Sequence, residues 1–168
     1  MNSKLGKRTD QRLALLYNQA SALLWYGKIE TTYDRAKSVK RIAEKLITIA
    51  INSYKDTVEV TKNKVNQKNE TIEVKFTNDG PKKLAARRRL MAKLPDLQEV
   101  KESKESKESF RERTSDVEHP LIEKIFREYA PKYDKRAQDL GQGGGYARII
   151  KLEKRRGDDA QKCILQLI

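Results

Sequence analysis

Apolar residues recur at helical spacing through the first fifty positions of the chain. Leu13, Leu16, Ala20 and Leu23 share one face of a helix starting near Asp10, where Thr9 or Asp10 is suited to cap it, and Gly27 ends it. Ile29-Glu30-Thr31-Thr32 is a short β-prone piece, after which Ala36, Val39, Ala43, Leu46 and Ala50 form the apolar stripe of a second helix. The period then changes. Val58 and Val60 alternate with polar residues, as do Ile72, Val74 and Phe76, so residues 52–81 read as an inserted β-hairpin joined by a polar connection. Its apolar face is expected to rest on another surface, because an isolated hairpin is marginal. Pro81 opens a helix that can pack through Leu84, Leu90, Met91 and Leu94. His119-Pro120 opens the next, with Ile122, Ile125, Phe126 and Tyr129 on its stripe and Pro131 as its expected stop. A short helix through Tyr133, Ala137 and Leu140 runs to Gly141, which suits the left-handed position after a helix.

In the last stretch both alternating sets are apolar. Tyr146–Leu152 and Cys163–Ile168 therefore read as strands covered on both faces, which predicts them at the centre of a sheet. Lys154-Arg155-Arg156 form a cationic turn between them, with Gly157 able to take positive φ and an Asp suited to cap a short helix. Helices and a small sheet in 168 residues make a single α+β domain, 1–168.

Charge narrows the function. Lys and Arg number 37 against 24 Asp and Glu, a net +13, and charged residues reach 36% where roughly 25% is usual. A polyanion is the expected partner: nucleic acid most often, an anionic membrane surface or an acidic protein otherwise. The charge is also unevenly placed. Residues 1–8 form a basic arm through Lys4, Lys7 and Arg8, of the kind that orders on a partner. Lys82, Lys83, Arg87, Arg88, Arg89 and Lys93 supply six cations without an anion, a density that folding alone does not explain. Residues 96–118 invert the sign with eight anions and five cations around KESKESKES, and read as a solvated helical or disordered insertion facing away from the polyanion. Lys37, Arg41 and Lys45 line one side of the second helix, where a solvated face explains them equally well.

Candidate catalytic chemistry is sparse. The single Cys excludes an internal disulfide and a cysteine-based metal cluster, and Cys163 sits in a buried strand as a small hydrophobe. His119, the one histidine, stands where a capping or surface residue would. Asp158 and Asp159 are adjacent, so their side chains diverge, and capping explains them more simply than magnesium binding. Gly143, Gly144 and Gly145 precede a strand, whereas nucleotide-binding loops place their glycines between strand and helix. No catalysis, cofactor, metal or small-molecule substrate is expected. The glycines instead suit close backbone approach to an RNA phosphate beside Tyr146, Arg148, Arg155 and Arg156, or simply end a helix and feed the strand. No stretch reaches the roughly 18 apolar residues of a membrane span, and Met1–Asp10 lacks a signal-peptide core, so the cytoplasm is the expected compartment.

Several blocks also occur in a recognisable order: GKRTDQRLALL, GKIETTYDRAKSVKRIAEKLITIA, ARRRLMAKL, KIFREYAPKYDKR and GGGYARIIKLEKRRGDDAQKCILQLI. Together they resemble the bacterial large-subunit ribosomal protein seventeen family over nearly all of the chain outside the two insertions. The resemblance implies helices packed on a small mixed β-sheet and a non-catalytic structural role. It further implies that the chain is bound to large-subunit rRNA near the nascent-chain exit, beside neighbouring ribosomal proteins. Glu153 stands where the family commonly has glycine, and the two insertions are absent from its short members. With the charge pattern, the resemblance makes Lys4, Lys7, Arg8, Arg12, Arg35, Lys37, Arg41, Lys82, Lys83, Arg87, Arg88, Arg89, Gly143, Gly144, Gly145, Tyr146, Arg148, Lys154, Arg155 and Arg156 the candidate RNA contacts. A free-standing nucleic-acid-binding protein, or a protein of the membrane surface using the same cations, is the alternative.

Overall fold

A computed structural model describes residues 4–65, 71–115 and 117–168. Residues 1–3 of the basic arm, the hairpin connection 66–70, the side chains of Lys64, Val65 and Ile72, and Asp116 of the acidic stretch lie outside the described set. The chain runs α1 (Thr9–Tyr26), β1 (Lys28–Thr32), α2 (Tyr33–Ile51), β2 (Thr57–Val65), β3 (Thr71–Asp79), α3 (Pro81–Met91) and α4 (Lys107–Thr114). It continues through α5 (Pro120–Lys124), a π-helical turn (Ile125–Tyr129), α6 (Ala130–Leu140), β4 (Ala147–Lys154) and β5 (Gln161–Leu167). The α+β class expected from the sequence is the one observed.

The core forms around α2. Ala36, Val39, Ala43, Leu46, Ile47 and Ala50 are buried along it, and the three alanines let neighbours approach its backbone closely. Leu23 and Leu24 of α1, Cys163, Leu165 and Leu167 of β5, and Leu121, Ile125 and Tyr133 of the Pro120–Leu140 run close around this helix.

Cys163, Leu165 and Leu167 belong to a sheet of order β1-β5-β4, antiparallel at both pairings, whereas a mixed sheet was expected. Residues 155–160 are too few for the crossover that a parallel neighbour requires. Only β5 is central. β4 is an edge strand with one face open, and Ile150 keeps 40% of its surface exposed, so the run of apolar residues there does not signify burial on both sides. Ile150 pairs with Ile164, and Ile164 with Glu30, which places all three on the outer face.

Local chemistry explains most boundaries. Gly27 closes α1 at φ 77°, its N–H donating to Leu23 O at 2.8 Å, and Gly141 closes α6 at φ 64°. Arg8, not Thr9 or Asp10, occupies the cap position of α1, and no side chain caps it; Asp10 instead favours the first turn by its charge and binds Arg8. Pro131 does not stop its helix. Ala130 N–H reaches back five residues to Ile125 O, and this wider π turn admits a proline that lacks an N–H and would otherwise crowd the preceding turn.

The end of α1 is satisfied from a distance. Tyr129 Oη donates to Leu24 O at 2.8 Å, and Lys124 Nζ donates to Trp25 O at 2.9 Å while lying over the Trp25 ring. A cation at a helix C-terminus is favourable, and here it comes from another helix.

Polar contacts organise both insertions, and Tyr54 and Leu97 pack their ends against the core. Asp56, before the hairpin, accepts from Lys82 N–H at 2.7 Å and Lys83 N–H at 3.3 Å, thereby capping α3. Gly80 leaves room for that carboxylate, which a β-carbon would strike. The apolar hairpin face stays half-exposed instead of resting on the core: Val58 is 47% exposed, and the Lys62 stem covers Phe76. In the acidic segment, whose sequence suits either a helix or disorder, residues Lys107–Thr114 form α4, capped by Ser106 and with no buried residue, and Arg113 binds Glu99 and Glu105.

Burial pushes the Tyr129 phenol up to about 12, so it remains a donor at physiological pH. Tyr129→Phe should therefore leave Leu24 O without its donor and destabilise the protein by about 1–2 kcal/mol, measured as a lowered midpoint of urea unfolding.

Candidate nucleic-acid interface

The anion-free run on α3 is not anion-free in space. Lys83 Nζ lies 2.7 Å and Arg87 Nε 2.6 Å from the Asp79 carboxylate, and Arg87 also binds Glu123 while lying over the Phe126 ring. Burial raises the Asp79 carboxyl pKa, but Arg87 and Lys83 outweigh it and hold the group below the ordinary carboxylate value. Arg87 and Lys83 thus clamp α3 to β3 and α5. Lys82, Arg88, Arg89 and Lys93 remain exposed on the outer surface.

At the sheet edge a bulge at Leu152–Glu153 shifts the β4 register against β5 and turns the strand end outward. Glu153 therefore stands in the bulge. No helix follows: Arg155 N–H meets Ala160 O at 3.0 Å, and the left-handed residue is Asp159 at φ 54° and not Gly157. Lys154 Nζ is 2.6 Å from Asp159, and Arg155 Nε donates to Asp158 at 2.7 Å, which pulls the Asp158 carboxyl down to about 2. Both acids are thus committed to cations. Arg156 has no ion-pair partner among the described residues. Lys154, Arg155 and Arg156 border one concavity with Lys162, and Arg155 and Lys162 border a second with Arg35; Glu30 lines both and Glu153 the first. Lys162, held 3.3 Å from Glu30, escaped the sequence reading; its signal is its place on the outward set of β5.

The glycine loop is shaped by a residue that the sequence did not single out. Arg136 Nη2 donates to Gly144 O at 2.7 Å and Gly145 O at 3.1 Å, and its guanidinium lies over the rings of Tyr133 and Tyr146. Because trans peptides are planar, carbonyls turned onto Arg136 send the N–H groups of Gly145 and Tyr146 to the opposite side. Gly144 and Gly145 have φ 96° and 60°, whereas Gly143 needs no left-handed backbone. The Tyr146 ring is only 5% exposed and packs 4.8 Å from Tyr133, so it is a core residue and cannot stack on a base.

The remaining candidates are spread over the surface. Lys4, Arg12 and Arg41 meet at a groove between α1 and α2. Arg8 is paired with Asp10, Lys37 and Lys151 flank the Tyr33 ring, Arg148 donates to Gln166 at 3.3 Å, and Lys7 is exposed. His119 faces Asp96, and burial raises the Cys163 thiol, leaving it a poor nucleophile. Among the described residues no helix is long and apolar enough to cross a membrane.

The chain matches the family described as Ribosomal protein L17 over residues 15–168. It is 38% identical over 185 residues to the large ribosomal subunit protein bL17 of Lachnospira eligens, covering 98% of this chain and 97% of that one. The bL17 proteins of Acetivibrio thermocellus and Ruminiclostridium cellulolyticum are 38% identical over 175 residues and 39% over 195, each with 98% of this chain and 97% of the relative covered.

Two variants sort clamp from contact. Arg87→Gln removes the cation shared by Asp79 and Glu123, leaving them Lys83 and Arg127 alone, and should lower the melting temperature, whereas Arg88→Gln with Arg89→Gln should leave it within about 0.5 kcal/mol of wild type and weaken RNA binding, as read by thermal melts beside filter binding. In the loop, Gly144→Ala forces a side chain into left-handed backbone and should cost about 1–2 kcal/mol. Gly143→Ala should keep stability and lose RNA affinity, separating steric exclusion of a phosphate from backbone strain.

Proposed function

Since the chain belongs to the bacterial ribosomal protein L17 family, we propose that this structural component of the large ribosomal subunit binds large-subunit rRNA through phosphate contacts, with no catalytic step. The observation that carries the reading is the pair of concavities at the β4–β5 turn, where Arg35, Arg155, Arg156 and Lys162 converge from two elements and a turn. The ion pairs there are exposed, and exposed pairs contribute only about 0–1 kcal/mol. A phosphate can therefore exchange places with Asp158 or Asp159 at little cost. Lys154 and Arg155 are already ordered by those acids before RNA arrives, which reduces the side-chain entropy lost on binding. The glycine loop, at the opposite end of β4 from this turn, offers two further backbone donors, and Lys82, Arg88 and Arg89 on α3 present a separate group of exposed cations.

Position near the nascent-chain exit, with neighbouring large-subunit proteins as further partners, follows from the family resemblance and is part of the same proposal. Assembly in the ribosome makes the compartment cytoplasmic. A tagged chain should sediment with the large subunit through a high-salt sucrose gradient and cross-link to rRNA and proteins around the exit. Sedimentation as free protein, or binding to anionic vesicles in preference to ribosomes, would contradict it. The affinity for an rRNA fragment should fall with salt with a log–log slope of roughly 0.7 to 0.9 per phosphate engaged, read by filter binding across a salt series.

A further inference from the structure

Another concavity, about 440 Å³, opens between α1 and α2 away from the sheet turn. Its floor is apolar: Leu13, Leu16 and Tyr17 from α1 face Ile42 and Leu46 from α2. Leu16 and Leu46 are buried, yet Leu13, on the same stripe of α1, is 42% exposed. Lys4, Arg12, Arg41, Lys45 and Lys93 surround this floor, and no Asp or Glu lines it among the described residues. Five like charges around an uncovered leucine are unfavourable for folding in two ways: the cations repel one another, and apolar area left in water forgoes about 25 cal/mol per Å². An occupant with negative charge at its margins and a flat apolar centre removes both costs.

We propose that this groove is a separate RNA subsite that takes one unstacked nucleobase on the Leu13–Tyr17 floor while the rim holds the phosphates on either side of it. The inference rests on the RNA-binding reading above and adds to it a place, a strand state and a contact that is not electrostatic. A base has an apolar face and is linked to phosphates on both sides; it can leave the stack only in a loop, bulge or single strand. The size of the floor excludes the main rival. Leu13 to Tyr17 and Ile42 to Leu46 each span about one helical turn, roughly 5–6 Å. An acidic amphipathic helix needs anchors at i, i+3, i+4 and i+7, about two turns. One base fits the available length.

The test uses the full chain and two fluorescently labelled probes: a ten-nucleotide oligouridylate and an abasic ribose-phosphate chain of the same length. Wild type should bind oligouridylate at least about fivefold more tightly than the abasic chain, as expected for one base on an apolar or aromatic surface. Leu13→Ser, at an exposed position where the fold tolerates it, should bring oligouridylate down to the abasic level without changing the abasic affinity or the salt slope. Lys45→Gln should weaken both probes and reduce the slope by about 0.7. Equal binding of the two probes by wild type overturns the base subsite and leaves phosphate binding standing. Failure of both probes to bind overturns the RNA reading itself. An acidic amphipathic peptide that binds wild type, is lost on Leu13→Ser and displaces neither probe would assign the groove to a protein partner and also overturn the proposal.

Discussion

Close packing on α2 is the constraint from which the remaining geometry follows. Ala36, Ala43 and Ala50 are buried on a helix that meets α1, the inner sheet face and the Pro120–Leu140 run. Larger side chains at these positions would push those layers apart, since overpacked cores distort. With so much of its circumference covered, α2 has one fully exposed strip, which carries Asp34 beside Lys37, Arg41 and Lys45. The same packing decides that β5 is central and β4 an edge. The bulge and the cationic turn are consequently carried at the rim of the sheet, where a large ligand can reach them.

A net charge of +13 on a small fold requires that the cations be sorted. Some are balanced internally. Arg87 and Lys83 share Asp79, Lys55 is 2.7 Å from Asp134, and Tyr54 donates to the same carboxylate at 2.6 Å. These pairs join elements, and Arg87 is sheltered enough that losing its partners would strand a charge. Others, at the β4–β5 turn and around the α1–α2 groove, lie at the surface, those of the turn in exposed ion pairs and those of the groove with no Asp or Glu among its described lining residues. The difference between structural and binding cations therefore lies in what each faces and not in how many stand together in sequence.

Much of this was legible from residue order. Helical stripes, glycine stops, the hairpin and the α+β class follow from periods of 3.6 and 2, which depend on the chain alone. What failed had a common cause: a partner distant in sequence. The ARRR run looked free because its acids lie at positions 79 and 123. Pro131 looked like a stop because a π turn upstream is invisible in the pattern. Tyr146 looked like a ring available beside an RNA phosphate because Tyr133 and Arg136, which cover it, come from the preceding helix. Arg136 was passed over because nothing local marks an arginine whose role is to turn two carbonyls inward. The groove was legible only in part: Lys4, Arg12 and Arg41 stood out as cations, but Leu13 read as core because its stripe is core elsewhere.

The insertions follow the same logic of attachment. Asp56 O accepts from Gly80 N–H at 2.9 Å, so the two ends of the hairpin are already adjacent where it leaves the domain. Extending a loop whose ends are fixed together costs only the slow logarithmic growth of closure entropy. The Asp56 carboxylate also caps α3, so the hairpin root supplies a contact that the helix would otherwise lack. In the acidic segment Arg113 binds Glu99 and Glu105, neutralising part of the local charge without reference to the core. Each insertion has closing contacts of its own, and it is tied to the domain at a few points: Tyr54 and Lys55 on Asp134, Asp79 on Lys83 and Arg87, and Leu97 against the core. A fold whose binding cations sit on elements anchored to α2 can accept such additions without moving them.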